Sequence, residues 1–145
     1  MIRTQGMIAE DSKTLVRSAF TDIWDNGKLA RVDEVLSSSF VRHGPTSLEG
    51  DISGREGFKQ LVTMYRSAFP DLKVPIEQQV VEGNLVVTRW TARGTHEGDL
   101  QGIAPSGKSI AVQGVLIDRV ENGQIQEEWA IYDSLGLMQQ VGAGS

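Results

Sequence analysis

The sequence predicts an α+β fold, with helices in the first half of the chain and antiparallel strands in the second half. Apolar residues recur at helical spacing as far as Pro70, and beyond it they tend to alternate with polar residues. Two Gly/Asn pairs, at residues 83–84 and 122–123, stand where hairpin turns are expected between strands. Helices that cover one face of a curved sheet form a cone, and we expect a pocket at its mouth.

Three helices are predicted in the first half. The first carries apolar residues at helical spacing, namely Leu15, Ala19, Phe20, Ile23 and Trp24. A short helix follows over residues 32–36, and residues 39–45 (SFVRHGP) are predicted to be a brief extended segment. The third helix begins at Ser53, whose spacing to Glu56 is that of a capping box, and it ends before Pro70.

Four strands are predicted in the second half. They cover residues 73–82, 85–96, 109–120 and 124–133, and a glycine-containing loop over residues 97–108 joins the middle two. The whole chain, residues 1–145, is predicted to be a single domain because 145 residues suffice for one core.

The charge and composition exclude several classes of function. A net charge of −5 without a basic cluster argues against nucleic acid and against anionic membranes as partners. The chain has no cysteine, which excludes disulfides, thiolate metal sites and a cysteine nucleophile. It also has no apolar run long enough to span a bilayer and no signal-peptide core, so we expect a cytoplasmic protein.

Asp133 ends the last predicted strand and precedes a helical pattern, SLGLMQQ. If residues 122–123 form a two-residue turn, strand alternation places Asp133 on one face with Trp129 and Ile131. The same register sets Gly114 opposite Ile131, which would leave a gap where a ligand could approach.

One pair disagrees with this register. It brings Asp118 opposite Glu127, a like-charge pair that is unfavourable at short range, and a bulge or the open rim of the sheet would relieve it.

Two roles are open for Asp133. A carboxylate among apolar neighbours has a raised pKa, which suits a general acid or base near neutral pH. An aspartate at the start of a helix is also a common N-cap, and the spacing alone favours that role.

Several segments in combination resemble the SnoaL-like polyketide cyclases of the nuclear transport factor 2-like superfamily. They are YRSAFPDLKV, VVTRWTARGTHEGDLQGIAPSGK and GQIQEEWAIYDSLGLMQQVG, with a weaker match in FVRHGP and GREGF, and together they extend over residues 40–142. The resemblance implies a cone-shaped α+β barrel, a deep apolar pocket and a dimer. It also implies intramolecular aldol closure of a polyketide ester without metal or cofactor, by an aspartate that Asp133 matches.

His96 is the second candidate catalytic residue, as a hydrogen-bond donor to the reacting carbonyl. The predicted substrate-binding residues are Trp129, Trp90, His43, Tyr65, Phe69, Ile131 and Gly114. A structural or surface role is the alternative for His96, and a loop role for His43. Gln113 and Tyr132 are weaker donor candidates because the register places them on the face of the sheet that does not carry Asp133. Two distant histidines without HExxH spacing exclude a catalytic zinc site of that type, and no cofactor is predicted.

Three functions remain open at this stage. The first is acid/base ring closure of a small hydrophobic polyketide-like ester. The second is polyketide tailoring as a hydroxylase component, and the third is binding of a hydrophobic ligand without turnover. We also expect a homodimer packed through the sheet, because an exposed outer face would carry Val115, Ile117, Ala130 and Tyr132.

Overall fold

The structure is a computed structural model that describes residues 4–45 and 49–142. Its helices are α1 (Thr4–Ser18), α2 (Val32–Val35), α3 (Gly54–Ala68) and α4 (Ser134–Gln140). A π-helical segment (Ala19–Asp25) continues α1, and a 3-10 turn (Leu29–Arg31) precedes α2. Within the described ranges, no helix is long and apolar enough to cross a membrane.

The strands are β1 (Leu36–His43), β2 (Asp51–Ser53), β3 (Ile76–Glu82), β4 (Leu85–Thr95), β5 (Ser109–Glu121) and β6 (Gln124–Tyr132). Across the described residues they form one curved, unclosed sheet in the order β2-β1-β6-β5-β4-β3. The predicted α+β class is therefore confirmed, and both predicted hairpins are present as β3–β4 and β5–β6.

Strand β1 is the main difference from the predicted topology. The segment predicted as a brief extended piece starts earlier, at Leu36, and lies inside the sheet parallel to β6. Pattern reasoning on one segment cannot find such a partner, because the pairing joins residues more than eighty positions apart, such as Arg42 and Glu128.

The core lies between the inner face of the sheet and the helical layer of α1, the π-helical segment and α3. Large side chains without solvent exposure come from both layers, among them Ile23, Phe40, Val62, Phe69 and Val86. Aromatic edges fix the contact between the layers, since Phe58 of α3 packs edge-on against Trp24 and Phe40. Burial of this apolar surface is the main stabilising term for the fold.

A bulge in β6 changes which side chains face the core. Glu121 opposes Gln124 as predicted, but Gln126 is an extra residue, so that Arg119 opposes Glu127. One inserted residue inverts the faces of all the residues that follow. The predicted pairing of Gly114 with Ile131 is therefore wrong, since Gly114 lies opposite Tyr132.

The outer face of the sheet consequently carries a different set from the one predicted. Trp129 and Ile131 join Val115 and Ile117 on it, and Ile131 is 63% exposed. Ala130 is buried on the inner face, and Tyr132 points to the same side, so placing these two outside was wrong. The homodimer through the outer face stays a prediction.

The bulge predicts opposite responses at two neighbouring positions. Ala130→Thr should lower the free energy of unfolding by about 1–3 kcal/mol, because it overfills the core. Ile131→Thr should change it by no more than about 0.5 kcal/mol, because the side chain is largely in solvent. Chemical denaturation of both variants at low protein concentration measures the difference, and the reverse order would restore the register without a bulge.

Candidate active site

Asp133 does not lie in an internal cavity, so that prediction is wrong. The residue is exposed and is the N-cap of α4, where its Oδ1 accepts a hydrogen bond from the Gly136 backbone N–H at 2.8 Å. Gly136 fits this cap because a Cβ there would approach the Asp133 carboxylate to 2.1 Å. The physical reason is the bulge, which turns the end of β6 so that Tyr132 instead of Asp133 faces inward.

The structure divides the other predicted site residues into two groups. Trp90, Tyr65 and Phe69 line the main cavity, and Gly114 lies beneath the ring of Trp90. Trp129, Ile131 and His43 belong to the outer face, where His43 stacks on Trp129 with ring centroids 5.5 Å apart. The Glu127 carboxylate accepts a hydrogen bond from His43 Nε2 at 2.7 Å and raises the pKa of that imidazole.

His96 is fully buried but does not line the cavity. Its ring packs against Phe69, and its Nδ1 is 2.9 Å from the Ser106 hydroxyl and accepts the Ser106 backbone N–H. These contacts tie the loop over residues 97–107 to β4. His96 therefore holds the loop beside the cavity and does not face a ligand within it.

The main cavity opens between the inner face of the sheet, α3 and the π-helical segment. Its apolar wall consists of Phe20, Trp24, Phe69, Leu72, Val74, Ala92, Ile110, Val112, Leu116 and Leu137. The empty space between the walls is about 590 Å³, a figure that includes space open to solvent. The enclosed part of the cavity is therefore smaller.

The polar end of this cavity is built around the carboxylate of Glu49. Arg42 donates through Nε to Oε1 at 2.8 Å and through Nη2 to Oε2 at 3.2 Å, a bidentate pair. The hydroxyls of Tyr65, at 3.1 Å, and Tyr132 both donate to Oε2. Gly44 makes room for this arrangement, because a Cβ there would approach Oε1 to 2.3 Å.

The two tyrosines are neutral donors. Burial raises the pKa of both phenols, and for Tyr65 the charge of Glu49 adds to the effect. Their hydroxyls are also in contact with each other. A pair of O–H groups beside one carboxylate can pass a proton between a ligand and Glu49 without either phenol losing its charge neutrality.

Trp90 supplies a donor without a protein partner. Its ring is buried in the cavity wall, and its indole N–H has no hydrogen-bond partner among the described residues. Gly114 allows this position, since a Cβ there would meet the Trp90 ring at 2.3 Å. A buried donor without a partner carries a desolvation cost that a ligand oxygen would remove.

Two further carboxyl groups lie on the side of Arg42 that faces away from Glu49. Glu128 accepts from Arg42 Nη1, and across the hairpin its neighbour on the same face is Asp118, which has no solvent exposure. Burial raises the pKa of Asp118 well above its usual value, and the negative charge of Glu128 raises it further. Burial alone would lower the pKa of Arg42, but the charges of Glu128 and Glu49 outweigh burial and raise it.

Sequence reasoning missed the residues that form this end of the cavity. Arg42 and Glu49 stand in an irregular stretch without periodicity and meet across the loop between β1 and β2. Glu128 and Tyr132 join them only through the unpredicted β1–β6 pairing. One signal did exist, the like-charge conflict at Asp118, where the bulge replaces Glu127 by Glu128 as the residue opposite. Within residues 4–45 and 49–142, no three His, Asp or Glu side chains are grouped to hold a metal ion.

An apolar cavity with one hydrogen-bonded polar end, under helices on a curved sheet, defines a small-molecule site of the cone-shaped α+β class. Comparison with known proteins gives the family. The family model for SnoaL-like polyketide cyclases matches residues 14–141, and the chain belongs to that family.

Relatives and solved structures agree with this assignment. The chain is 24% identical to the aklanonic acid methyl ester cyclase DnrD of Streptomyces peucetius over 83% of this chain and 84% of that one. It is 27% identical to the nogalonic acid methyl ester cyclase of Streptomyces nogalater, over 82% of this chain and 89% of that one. A structure from Jannaschia sp. CCS1, assigned to the SnoaL-like polyketide cyclases, superposes with a TM-score of 0.86 at 25% identity and covers 94% of both chains.

The cap geometry predicts the response of Asp133 to substitution. Asp133→Asn should retain almost all stability because asparagine caps equally well, whereas Asp133→Ala should lose about 1 kcal/mol. Turnover should persist in both variants, since the carboxylate lies outside the cavity. Thermal melts beside an activity assay test this, and a hundredfold loss in a stable Asp133→Asn protein would return the acid/base role to Asp133.

The buried position of Asp118 predicts a pH-dependent effect on stability. The folded state holds a proton on Asp118 at pH values where the unfolded chain has lost it, so the contribution of Asp118 to stability falls as pH rises above about 4. Asp118→Asn removes this loss and should be the more stable protein at neutral pH. Its advantage should grow with a slope of up to about 1.4 kcal/mol per pH unit.

Denaturant unfolding of both proteins at intervals between pH 4 and pH 8 measures that slope. A constant difference across the range would mean that Asp118 is ionised in the folded protein.

Proposed function

We propose that this chain catalyses intramolecular ring closure of a neutral, largely apolar polyketide-like ester, with Glu49 as the general base. The observation that carries the proposal is the Glu49 carboxylate, which is fully buried at the polar end of an apolar cavity between two neutral phenols. Membership of the SnoaL-like polyketide cyclase family and the ester cyclases among the relatives support it.

Glu49 is the carboxylate that a ligand in the cavity can reach. The cavity wall contains one other charged side chain, Arg42, and its guanidinium is occupied by Glu49 and Glu128. Asp118 borders a smaller neighbouring cavity and is separated from the main one by Leu116 and Trp24, which line both. A base must be within hydrogen-bond reach of the proton that it removes, and the position of Glu49 in the cavity wall supports this role.

The proposed reaction is an aldol closure. Glu49 takes the proton from a carbon next to one carbonyl group, and that carbon forms a bond to the carbon of a second carbonyl. As the oxygen of the second carbonyl becomes an alkoxide, it takes the proton of the Tyr132 hydroxyl while Glu49 passes its own proton to that hydroxyl along their existing hydrogen bond. Tyr132 therefore stays neutral, and the enzyme ends as it began.

Trp90 would stabilise the enolate oxygen. Its indole N–H has no partner among residues in the described ranges, so it can donate to a ligand without breaking a protein contact. Donors that are fixed before the reaction cost no reorganisation when charge develops on the oxygen. The apolar remainder of the wall excludes water, which strengthens these hydrogen bonds.

Glu49→Gln tests the assignment of the base. The amide oxygen can replace Oε2 as the acceptor for Arg42 Nη2 and both tyrosines, and the amide nitrogen then faces Arg42 Nε. The amide cannot take a proton. Turnover of aklanonic or nogalonic acid methyl ester, followed by absorbance, should fall by roughly 100-fold or more.

Glu97→Gln is the matched control, because it removes an exposed carboxylate on the loop after β4 and should leave turnover unchanged. Full activity in a folded Glu49→Gln protein would contradict the mechanism. Binding of these esters without turnover in the wild type, seen as quenching of tryptophan fluorescence, would instead favour a binding protein.

A further inference from the structure

Four ionisable side chains form a continuous row from the cavity wall into the sheet. The order is Glu49, Arg42, Glu128 and Asp118, and all four side chains are buried. Arg42 donates two hydrogen bonds to Glu49 and one to Glu128. Neither carboxyl oxygen of Asp118 has a hydrogen-bond partner among the residues that the structure describes.

We propose that Asp118 is a positioning residue whose proton keeps Arg42 in place against Glu49. With that proton, Arg42 lies between one negative charge on the cavity side and one on the sheet side. Without it, the sheet side carries two negative charges and draws the guanidinium away from Glu49. This role of Asp118 rests on the proposed cyclase function only where it predicts an effect on turnover.

The surroundings of the pair make this balance sensitive. The side chains that pack over Asp118 and Glu128 from α1 and the π-helical segment are apolar, namely Val16, Ala19, Phe20 and Ile23. On β4, the residue opposite Asp118 is Val86, which is also buried. In such a site the interaction between charges is weakly screened, so an added charge acts strongly on its neighbours.

Other titratable groups near the row lie beyond Glu49. Tyr65 of α3 and Tyr132 of β6 contact Glu49, and burial keeps both phenols neutral. On the sheet side, Arg42 is the one cation in contact with Glu128 or Asp118 within the described part of the chain. Release of the Asp118 proton therefore has Arg42 as its main responding partner.

Trp24 reports the position of Arg42. The guanidinium carbon lies 6.0 Å from the centroid of the Trp24 ring, so displacement of Arg42 changes the environment of that indole. Arg42 is attached to β1, whereas Trp24 lies on the π-helical segment, so the two can move relative to each other.

The first measurement needs no substrate. Tryptophan emission is followed from pH 6 to pH 10 in a Trp129→Phe background, which removes the indole that stacks on His43, and we expect a transition that is absent when Asp118→Asn is added. Asp118→Thr is a second neutral variant with a side chain suited to a strand, and it should also lack the transition. Glu121→Gln removes an exposed carboxylate from the same strand, and it should retain the transition.

The second measurement is the ratio of turnover at alkaline pH to turnover at pH 7. In the wild type we expect turnover to fall about tenfold per pH unit above the ionisation of Asp118. Asp118→Asn and Asp118→Thr should lose this alkaline limb, whereas a merely structural role would lower turnover equally at every pH.

The outcomes separate the two proposals. A fluorescence transition that is unchanged in both neutral variants, or absent from the Trp129→Phe background, would overturn the role of Asp118 whatever the turnover. If the transition is seen but the wild type does not turn over these esters, the positioning role of Asp118 stands and the cyclase proposal is contradicted. An alkaline limb that persists in both variants would overturn the link between Asp118 and Glu49.

Discussion

The buried guanidinium of Arg42 constrains most of the arrangement around the cavity. A cation without solvent must have opposite charges within hydrogen-bond distance, because its desolvation is otherwise too costly. Glu49 meets this need from the loop after β1, and Glu128 meets it from β6. The one side chain thus ties a loop to two strands of the sheet. The requirement explains why charged residues are found at the bottom of an otherwise apolar cavity.

The comparison of sequence and structure shows where pattern reasoning is sufficient. The α+β class, α3 and the two hairpins follow from local periodicity and turn residues, which act over a few positions. The error began at Gln126, because one bulged residue inverts the faces of the residues that follow. Simple alternation therefore placed Ile131 and Asp133 on the inner face, where the structure has Ala130 and Tyr132. Glu49 was missed for another reason, since it stands in an irregular loop and its contact with Tyr132 forms only after long-range pairing. Trp90, Tyr65 and Phe69 were placed at the pocket by the family resemblance together with their apolar character.

The distribution of hydrogen-bond donors around the cavity indicates which kind of ligand would fit it. Arg42 and both tyrosines already donate to Glu49, so a ligand carboxylate would find no free cation at the polar end. The ligand proposed above is therefore neutral there and has an oxygen that can accept from Trp90. The rest of the wall is apolar, which suits a largely apolar ligand. In this proposal an ester in place of a free acid meets both conditions.

The parallel pairing of β1 with β6 has a consequence for the order of folding. Arg42 and Glu128 are 86 residues apart in sequence, and closing so long a loop comes late because its entropy cost must be met before the contact contributes. During synthesis, the first three helices and β1 emerge well before the strand that completes them. A nascent chain that ends after β5 holds Arg42 without Glu128, and β1 then has an unpaired edge where β6 belongs. The last hairpin to leave the ribosome is therefore the one that pairs with β1 and completes the wall of the cavity.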